Sequence, residues 1–375
     1  MITLTGIVRE HPDAVFVRKT ALTAFEDTEG FRQGGYDIAQ DLFASLGGGS
    51  EDRTFILKPN VVCQTDADSR TVVTLGKDAG IVTSPHFVGG IADRLREIGA
   101  SKVVIAEGGG GEMPEVYQSR GYTAMAEARG LRLLDLFRQR PQPEEQFNWT
   151  PVEGVVFREV PFVKPINDPD TVLVNVPTLK THNLAVVSLC IKNLQGTVPL
   201  EYRGFCNQHF REQLQRLPRS PEVMRIYQPD LEERLASYRR HKPLADWQER
   251  DESYAQRACD LASAIKPAVH IVEGIVGRDG SGFQHGKDWI TNLVLAGTNP
   301  VHVDTIAAYL MGHDPRNIPY LQLAAIRGMG SSDPHQIEVY LVRDGLLERC
   351  DDLEGIGRFA LGVYRFGDTS KYVFL

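Results

Sequence analysis

The chain of 375 residues has few cysteines and no long apolar run. Its five cysteines are odd in number, far apart and never spaced as CxxC, which argues against a zinc finger, a ferredoxin-type cluster and a disulfide scaffold. Charges, glycines or prolines interrupt every apolar run before the ~18 residues that a membrane helix needs. The first residues show no basic stretch followed by an apolar one, as a secretory signal would. These absences predict a cytoplasmic protein with reduced thiols and no membrane partner.

An excess of basic residues is also missing, because 41 Lys and Arg face 49 Asp and Glu and give a net charge of −8. Duplex nucleic-acid binders usually have the opposite balance, so we expect no nucleic-acid partner. The sequence contains no GxxxxGK[ST], no GxGxxG followed by a ribose-binding acid and no GxSxG. P-loop enzymes, ordinary nucleotide-dependent dehydrogenases and serine hydrolases are therefore disfavoured.

Short apolar runs alternate with helical patterns along the chain. A strand over 54–58 precedes a helix that begins at Ser84-Pro85 and ends at Gly99, and a second strand follows over 102–106. This βαβ unit predicts a parallel sheet. We therefore predict an α/β fold with two Rossmann-like lobes, mainly parallel sheets and a mostly helical insertion. The predicted units are an N-terminal lobe of residues 1–150, a second lobe of 151–199 and 258–375, and an insertion of 200–257 that could act as a lid.

Polar residues gather where the predicted strands end. In parallel α/β sheets ligands bind beyond the carboxyl ends of the strands, so these side chains are expected to meet in one cleft. Proton transfer needs acids and bases, and we assign that role to Lys180, His182, Glu107 and Glu273. Substrate binding is assigned to residues that can donate hydrogen bonds or positive charge, namely Lys58, Asn60, His86, Gly109, Gly110, Asn175, Lys192, Asn193 and Asn299.

The segment from Lys180 to Asn183 has the greatest weight in this prediction. Apolar residues at 184, 187, 191 and 194 follow it at helical spacing, so Lys180 and His182 would precede a helix N-terminus, which favours an anion. A polar capping turn without a ligand explains these residues equally well. Lys192 lies more than three helical turns further on, so both lysines reach one ligand only if the helix is broken or the ligand is long.

A metal site is an alternative use of the same residue types. His86, His182 and Asp304 have suitable ligand atoms for a divalent metal, although no HExxH or HxH spacing fixes them. The cofactor is otherwise unknown.

Several motifs lie between residues 54 and 330, namely Lys58-Pro59-Asn60, Ser84-Pro85-His86, Asn175 to Gly196, Glu273-Gly274 and Gly297 to Gly312. Together they resemble the family catalogued as domain of unknown function 362, many of whose members have a ferredoxin-like iron–sulfur segment. Because this chain lacks the cysteines of that segment, no iron–sulfur cluster is expected. The layout is also similar to the lactate racemase superfamily, in which two α/β lobes enclose a site that uses Lys and His. That similarity implies proton-abstraction chemistry.

These observations predict an enzyme that acts on a small anionic metabolite, a carboxylate or phosphate, by proton abstraction of the isomerase or lyase type. Two alternatives remain open at this point. One is a metal-dependent oxidoreductase or hydrolase that uses the same histidines and carboxylates. The other is a non-catalytic metabolite-binding or scaffold protein. The oligomeric state does not follow from the sequence.

Overall fold

The chain folds into a mixed α/β structure around one central, mostly parallel sheet. The computed structural model describes residues 4–46, 52–62, 79–109, 112–138, 142–204, 221–282, 285–365 and 370–375, together with 209, 210, 212 and 215.

Both halves of the chain contribute strands. In chain order they are β1 (Val15–Lys19), β2 (Thr54–Pro59), β3 (Lys102–Glu107), β4 (Arg132–Asp135), β5 (Phe147–Pro151), β6 (Glu159–Val163), β7 (Thr171–Val176), β8 (Thr178–His182), β9 (Val186–Ser188), β10 (Val269–Arg278), β11 (Asp288–Gly297), β12 (Val339–Arg343) and β13 (Leu346–Arg349).

The helices of the described residues vary from single turns to 16 residues. They are α1 (Gly6–Glu10), α2 (Thr28–Leu42), α3 (Pro85–Glu97), α4 (Met113–Ser119), α5 (Tyr122–Arg129), α6 (Cys190–Asn193), α7 (Leu200–Arg203), α8 (Pro221–Ile226), α9 (Leu231–Tyr238), α10 (Lys242–Ala245), α11 (Glu249–Ala264), α12 (Pro300–Leu310) and α13 (Pro319–Ile326).

The central sheet has the strand order β13-β12-β1-β11-β10-β7-β2-β3-β4, and β8 and β9 extend it beside β10. The pairs from β10 through β7, β2 and β3 to β4 are parallel, as are β1 with β12 and β8 with β10. This confirms the predicted α/β fold. Strands from both predicted lobes join this single sheet, since β2 pairs directly with β7. The division at residue 150 stays a prediction.

The βαβ unit predicted from residues 54–106 is present as β2, α3 and β3. Pro85 occupies the first turn of α3, where its missing N–H removes no helical hydrogen bond. The apolar side of α3 is buried against the sheet and against α2. Glycines allow that close approach, because a Cβ at Gly90 would lie 1.9 Å from the Arg32 carbonyl oxygen and one at Gly35 2.0 Å from that of Phe87.

Two predictions about local structure are wrong. The helix predicted from residue 184 is instead a hairpin of β8 and β9 followed by the short α6, and Lys180 lies within β8 opposite Ser188. The spacing of the apolar residues matched a helix by coincidence, since they belong to a loop, a strand and a single turn. In addition, β11 runs antiparallel to β10, so its carboxyl end lies at the opposite edge of the sheet from the ends of β2, β3 and β7.

The predicted insertion of residues 200–257 is mostly helical where the structure describes it, as expected. Its last helix, α11, packs along α13 of the main body. Among the helices that can be described, none combines the length and the apolar character needed to cross a membrane.

Candidate functional site

One face of β8 presents three polar side chains, because alternate residues of a strand point to the same side. These are Thr178, Lys180 and His182, and all three are buried. Glu273 of β10 pairs in register with Thr178 and therefore shares that face. Ser84, at the start of α3, donates its backbone N–H to Oε2 of Glu273 at 3.3 Å. We call these five residues the β8 site.

The ammonium group of Lys180 is almost completely enclosed, with 2% of the residue exposed. Its Nζ donates to Oδ1 of Asn60 at 2.6 Å and to the carbonyl oxygen of Ile81 at 2.5 Å. No carboxylate of the described residues lies within ion-pair distance of Nζ. A buried cation in this setting is costly unless it loses its proton or meets an anion.

Further positive charges surround Lys180. Its pKa lies well below the usual value, first because of burial and then because of the charges of Lys192, Arg120 and Arg278. The charge of Glu107 opposes this effect only weakly. Lys192 lies in α6, Arg278 ends β10 and Arg120 follows α4, so three separate parts of the fold add positive potential around Lys180. Lys192 thus acts on the same region as Lys180, because the helix that would have separated them does not form.

Glu273 is the acid of the β8 site. Its Oε1 accepts hydrogen bonds from the backbone N–H groups of Ile275 and Val276, and no basic side chain of the described chain lies within ion-pair distance. Burial raises the pKa of Glu273 to about 7, against the lowering effect of its backbone hydrogen bonds. A carboxyl group with this pKa can take up or release a proton near neutral pH.

Two hydroxyl groups beside Glu273 have unused hydrogen-bonding capacity. Oγ of Ser84 and Oγ1 of Thr178 are buried and have no hydrogen-bond partner among the described residues. A buried polar group without a partner costs about 1–3 kcal/mol. Two such groups next to a buried carboxyl indicate a place where a polar ligand group fits.

His182 is oriented by the backbone that follows it. Its Nδ1 accepts hydrogen bonds from the N–H groups of Leu184 at 3.1 Å and Ala185 at 3.2 Å, so the ring proton lies on Nε2. The pKa of His182 is well below its usual value because of burial and then because of the charges of Lys192 and Lys180. His182 is therefore a hydrogen-bond donor near neutral pH, and the geometry does not support its predicted use as a base.

Lys58 belongs to a second group of residues whose hydrogen bonds are satisfied within the protein. Its Nζ bonds Oε1 of Glu107 at 2.6 Å, the Pro59 carbonyl at 3.0 Å and Oδ1 of Asn193 at 3.2 Å, which uses all three N–H donors. Burial lowers the pKa of Lys58, and Glu107 opposes that lowering. Lys58 thus has no donor left for the substrate role predicted for it.

The carboxylate of Glu107 also has its hydrogen bonds satisfied within the protein. Besides the bond from Lys58, it accepts hydrogen bonds from the N–H groups of Val61 at 2.9 Å and Gly108 at 2.8 Å. It is a poor candidate for the predicted catalytic base. Asn193 donates to Oδ1 of Asn175 at 2.8 Å and accepts from Nδ2 of Asn60 at 3.1 Å. This chain of bonds fixes Asn60 with its oxygen towards Lys180, so the satisfied group positions the β8 site.

Three predicted residues lie elsewhere. Asn299 caps α12 at the far edge of the sheet, because β11 is antiparallel. His86 is half-buried on α3, and its pKa is lowered by burial and by the charge of Arg129. Asp304 is buried under the start of α6, where it accepts hydrogen bonds from the backbone N–H groups of Cys190 and Ile191. Burial raises the pKa of Asp304 to about 6.

The metal prediction finds no support in this geometry. Within the part of the chain that can be described, no three His, Cys, Asp or Glu side chains form a group that could bind a metal ion. His86, His182 and Asp304 therefore do not come together as ligands. Gly109 lies two residues after Glu107, the last residue of β3, and Gly110 lies outside the described residues.

Sequence reasoning missed Thr178, the role of Ser84 beyond capping, and the cations Arg120 and Arg278. Arg278 is buried in an ion pair with Asp288, at 2.8 Å. A signal for Thr178 was present, because Thr178, Lys180 and His182 alternate with the apolar or small residues of a strand. No comparable pattern points to the two arginines.

A family model described as a domain of unknown function, DUF362, matches residues 56–309, which is more than half of the chain. The chain belongs to this family. The match confirms the resemblance seen in the motifs, and the β8 site lies inside it. The curated thylakoid-associated protein sll1697 of Synechocystis is 20% identical over 238 residues, covering 64% of this chain and 60% of that protein. No solved structure matches the DUF362 chain. Its layout similarity to the lactate racemase superfamily stays a prediction.

Proposed function

We propose that this DUF362 protein is an enzyme that acts at the β8 site on a small anionic metabolite, a carboxylate or phosphate compound. The reaction is a proton abstraction of the isomerase or lyase type. One observation carries the proposal. Lys180 and Glu273 are both buried, contact the same segment of residues 81–84, and have no oppositely charged side chain within ion-pair distance in the described chain.

The charge around Lys180 selects the ligand. A small anion at this face would meet the fields of Lys192, Arg120 and Arg278.

Glu273 supplies the proton chemistry. With a pKa of about 7 it exists in both protonation states at neutral pH, as a general base requires. The hydroxyl groups of Ser84 and Thr178 lie beside it. Each can donate a hydrogen bond to a substrate oxygen that gains negative charge during the reaction. Lys58, Glu107, Asn175 and Asn193 hold this arrangement in place.

We place the reaction in the cytoplasm. Cys190, Cys259 and Cys350 have free thiols, which suits a reducing compartment.

The test is hydrogen exchange in heavy water. The purified protein is incubated with a panel of small 2-hydroxy, 2-oxo and phosphorylated acids, and deuterium incorporation at carbon is followed by NMR. We expect exchange of at least one acid. Glu273→Gln should slow it by about 10²–10⁴-fold, since the variant has no base, while retaining ligand binding.

Binding is measured separately from exchange. Titration with phosphate or malonate should raise the melting temperature of the native protein, and Lys180→Met should abolish this rise. Lys266→Met, which removes an exposed lysine, serves as the control and should bind as the native protein does. Stabilisation by anions without exchange of any acid would identify a binding protein, and the absence of both effects would refute the proposal.

A further inference from the structure

The hydrogen bonds of Lys180 leave one position on Nζ without an acceptor among the described residues. An amine nitrogen has four tetrahedral positions, and one of them is the bond to Cε. Asn60 Oδ1 and the Ile81 carbonyl oxygen accept from two others. The fourth position meets no acceptor among the described residues, so it holds either a third proton or the lone pair of a neutral amine.

The orientation of the Asn60 side-chain amide is fixed by its neighbours. Oδ1 of Asn193 already accepts from Nζ of Lys58, so the amide of Asn60 must present its NH₂ group to that oxygen. The oxygen of Asn60 therefore faces Lys180. Both partners of Lys180 are acceptors, and together they bind the two N–H groups that a neutral amine possesses.

We propose that Lys180 is a nucleophile that forms an imine with the carbonyl group of a 2-oxo acid. This inference rests on the proposed function and names its substrate class. The carboxylate of the acid lies in the field of Lys192, Arg120 and Arg278, while the carbonyl carbon meets the fourth position of Nζ. The lowered pKa of Lys180 supports this, because burial and neighbouring cations are known means of activating a lysine amine.

The chemistry balances with the groups at hand. The lone pair of Nζ forms the C–N bond as the carbonyl π pair moves to oxygen, which takes up the proton that nitrogen releases. The C–O bond of this carbinolamine then breaks, nitrogen forms the C=N bond, and the oxygen leaves as water with a proton from Glu273. The resulting iminium acidifies the adjacent C–H group, and Glu273, now a carboxylate, is the base that removes its proton.

The experiment is reductive trapping of the native chain. Pyruvate or 2-oxoglutarate is added with sodium borohydride near pH 7, and the intact mass and the modified peptide are determined. We expect one adduct per chain, with the mass of the acid less one oxygen atom, at Lys180. Labelling at Lys180 should exceed that at the exposed Lys266 by at least about tenfold, because only a neutral amine attacks a carbonyl.

Controls separate this proposal from the broader one. Lactate, which has no carbonyl, should give no adduct, and acetone, which has no carboxylate, should label Lys180 poorly. Lys180→Met should remove the adduct while Lys266→Met retains it, and the peptide map of the native chain decides the matter even if Lys180→Met does not fold. Adducts spread over exposed lysines, or none at Lys180, would overturn the imine. The proposed function would still be tested independently by the measurements of anion binding and deuterium exchange.

Discussion

Removing the charge of Lys58 tests whether this lysine supports the fold instead of binding substrate. The side chains of Lys58 and Glu107 are only 1% and 5% exposed, and their charged atoms lie 2.6 Å apart. Lys58→Met fills a similar volume but leaves Glu107 as a buried carboxylate without its cation. Breaking a buried pair in this way usually costs about 3–5 kcal/mol.

Glu107 has no other cation within ion-pair distance among the described residues. We therefore expect Lys58→Met to lose about 3–5 kcal/mol of unfolding free energy.

Urea denaturation followed by circular dichroism measures this loss of unfolding free energy. The double variant Lys58→Met/Glu107→Gln should recover most of the loss, because no buried charge remains, and Lys266→Met should stay within about 0.5 kcal/mol of the native protein. A loss below about 1 kcal/mol for Lys58→Met, combined with lost anion binding, would refute this reasoning and restore Lys58 as a substrate ligand.

Two further predictions concern Glu273 and Gly196. Because the pKa of Glu273 is raised to about 7 in the folded state, its contribution to stability is complete below about pH 4.5 and is lost as the pH rises through 7, by about 3 kcal/mol. Glu273→Gln should remove this part of the decline between pH 5 and pH 8 in urea titrations, and an unchanged slope would contradict the assignment. A Cβ at Gly196 would lie 2.4 Å from Oε1 of Glu107, so Gly196→Ala should destabilise the protein by about 1–3 kcal/mol. Gly355→Ala, whose nearest neighbour would be 3.8 Å away, is the matched thermal-melting control, and equal melting points would show that the contact is absent.

The sequence was sufficient to predict the elements that have simple periodicity. The strand at 54–58, the helix capped at Ser84 and the strand at 102–106 were all predicted correctly, because a buried run and a capped amphipathic helix are local signals. Lys180 and Glu273 were predicted to follow strand ends, whereas both lie within strands, β8 and β10.

The parts that were predicted wrongly depend on tertiary pairing. Periodicity does not give a strand's direction, so Asn299 was assigned to the wrong edge of the sheet. Nor does it reveal whether a polar residue is satisfied by its neighbours. Lys58 and Lys180 look alike in the sequence, and only their contacts distinguish them: Lys58 bonds the carboxylate of Glu107, whereas Lys180 bonds the amide oxygen of Asn60.

The position of β1 between β11 and β12 has a consequence for biosynthesis. Phe16 pairs with Ala296 on one side and with Tyr340 on the other, so β1 is synthesised long before either of its partner strands. Pairing between distant parts of a chain generally slows folding and leaves apolar strands exposed before their partners are made. We expect nascent chains of this protein to depend on chaperones until residues beyond 340 have emerged.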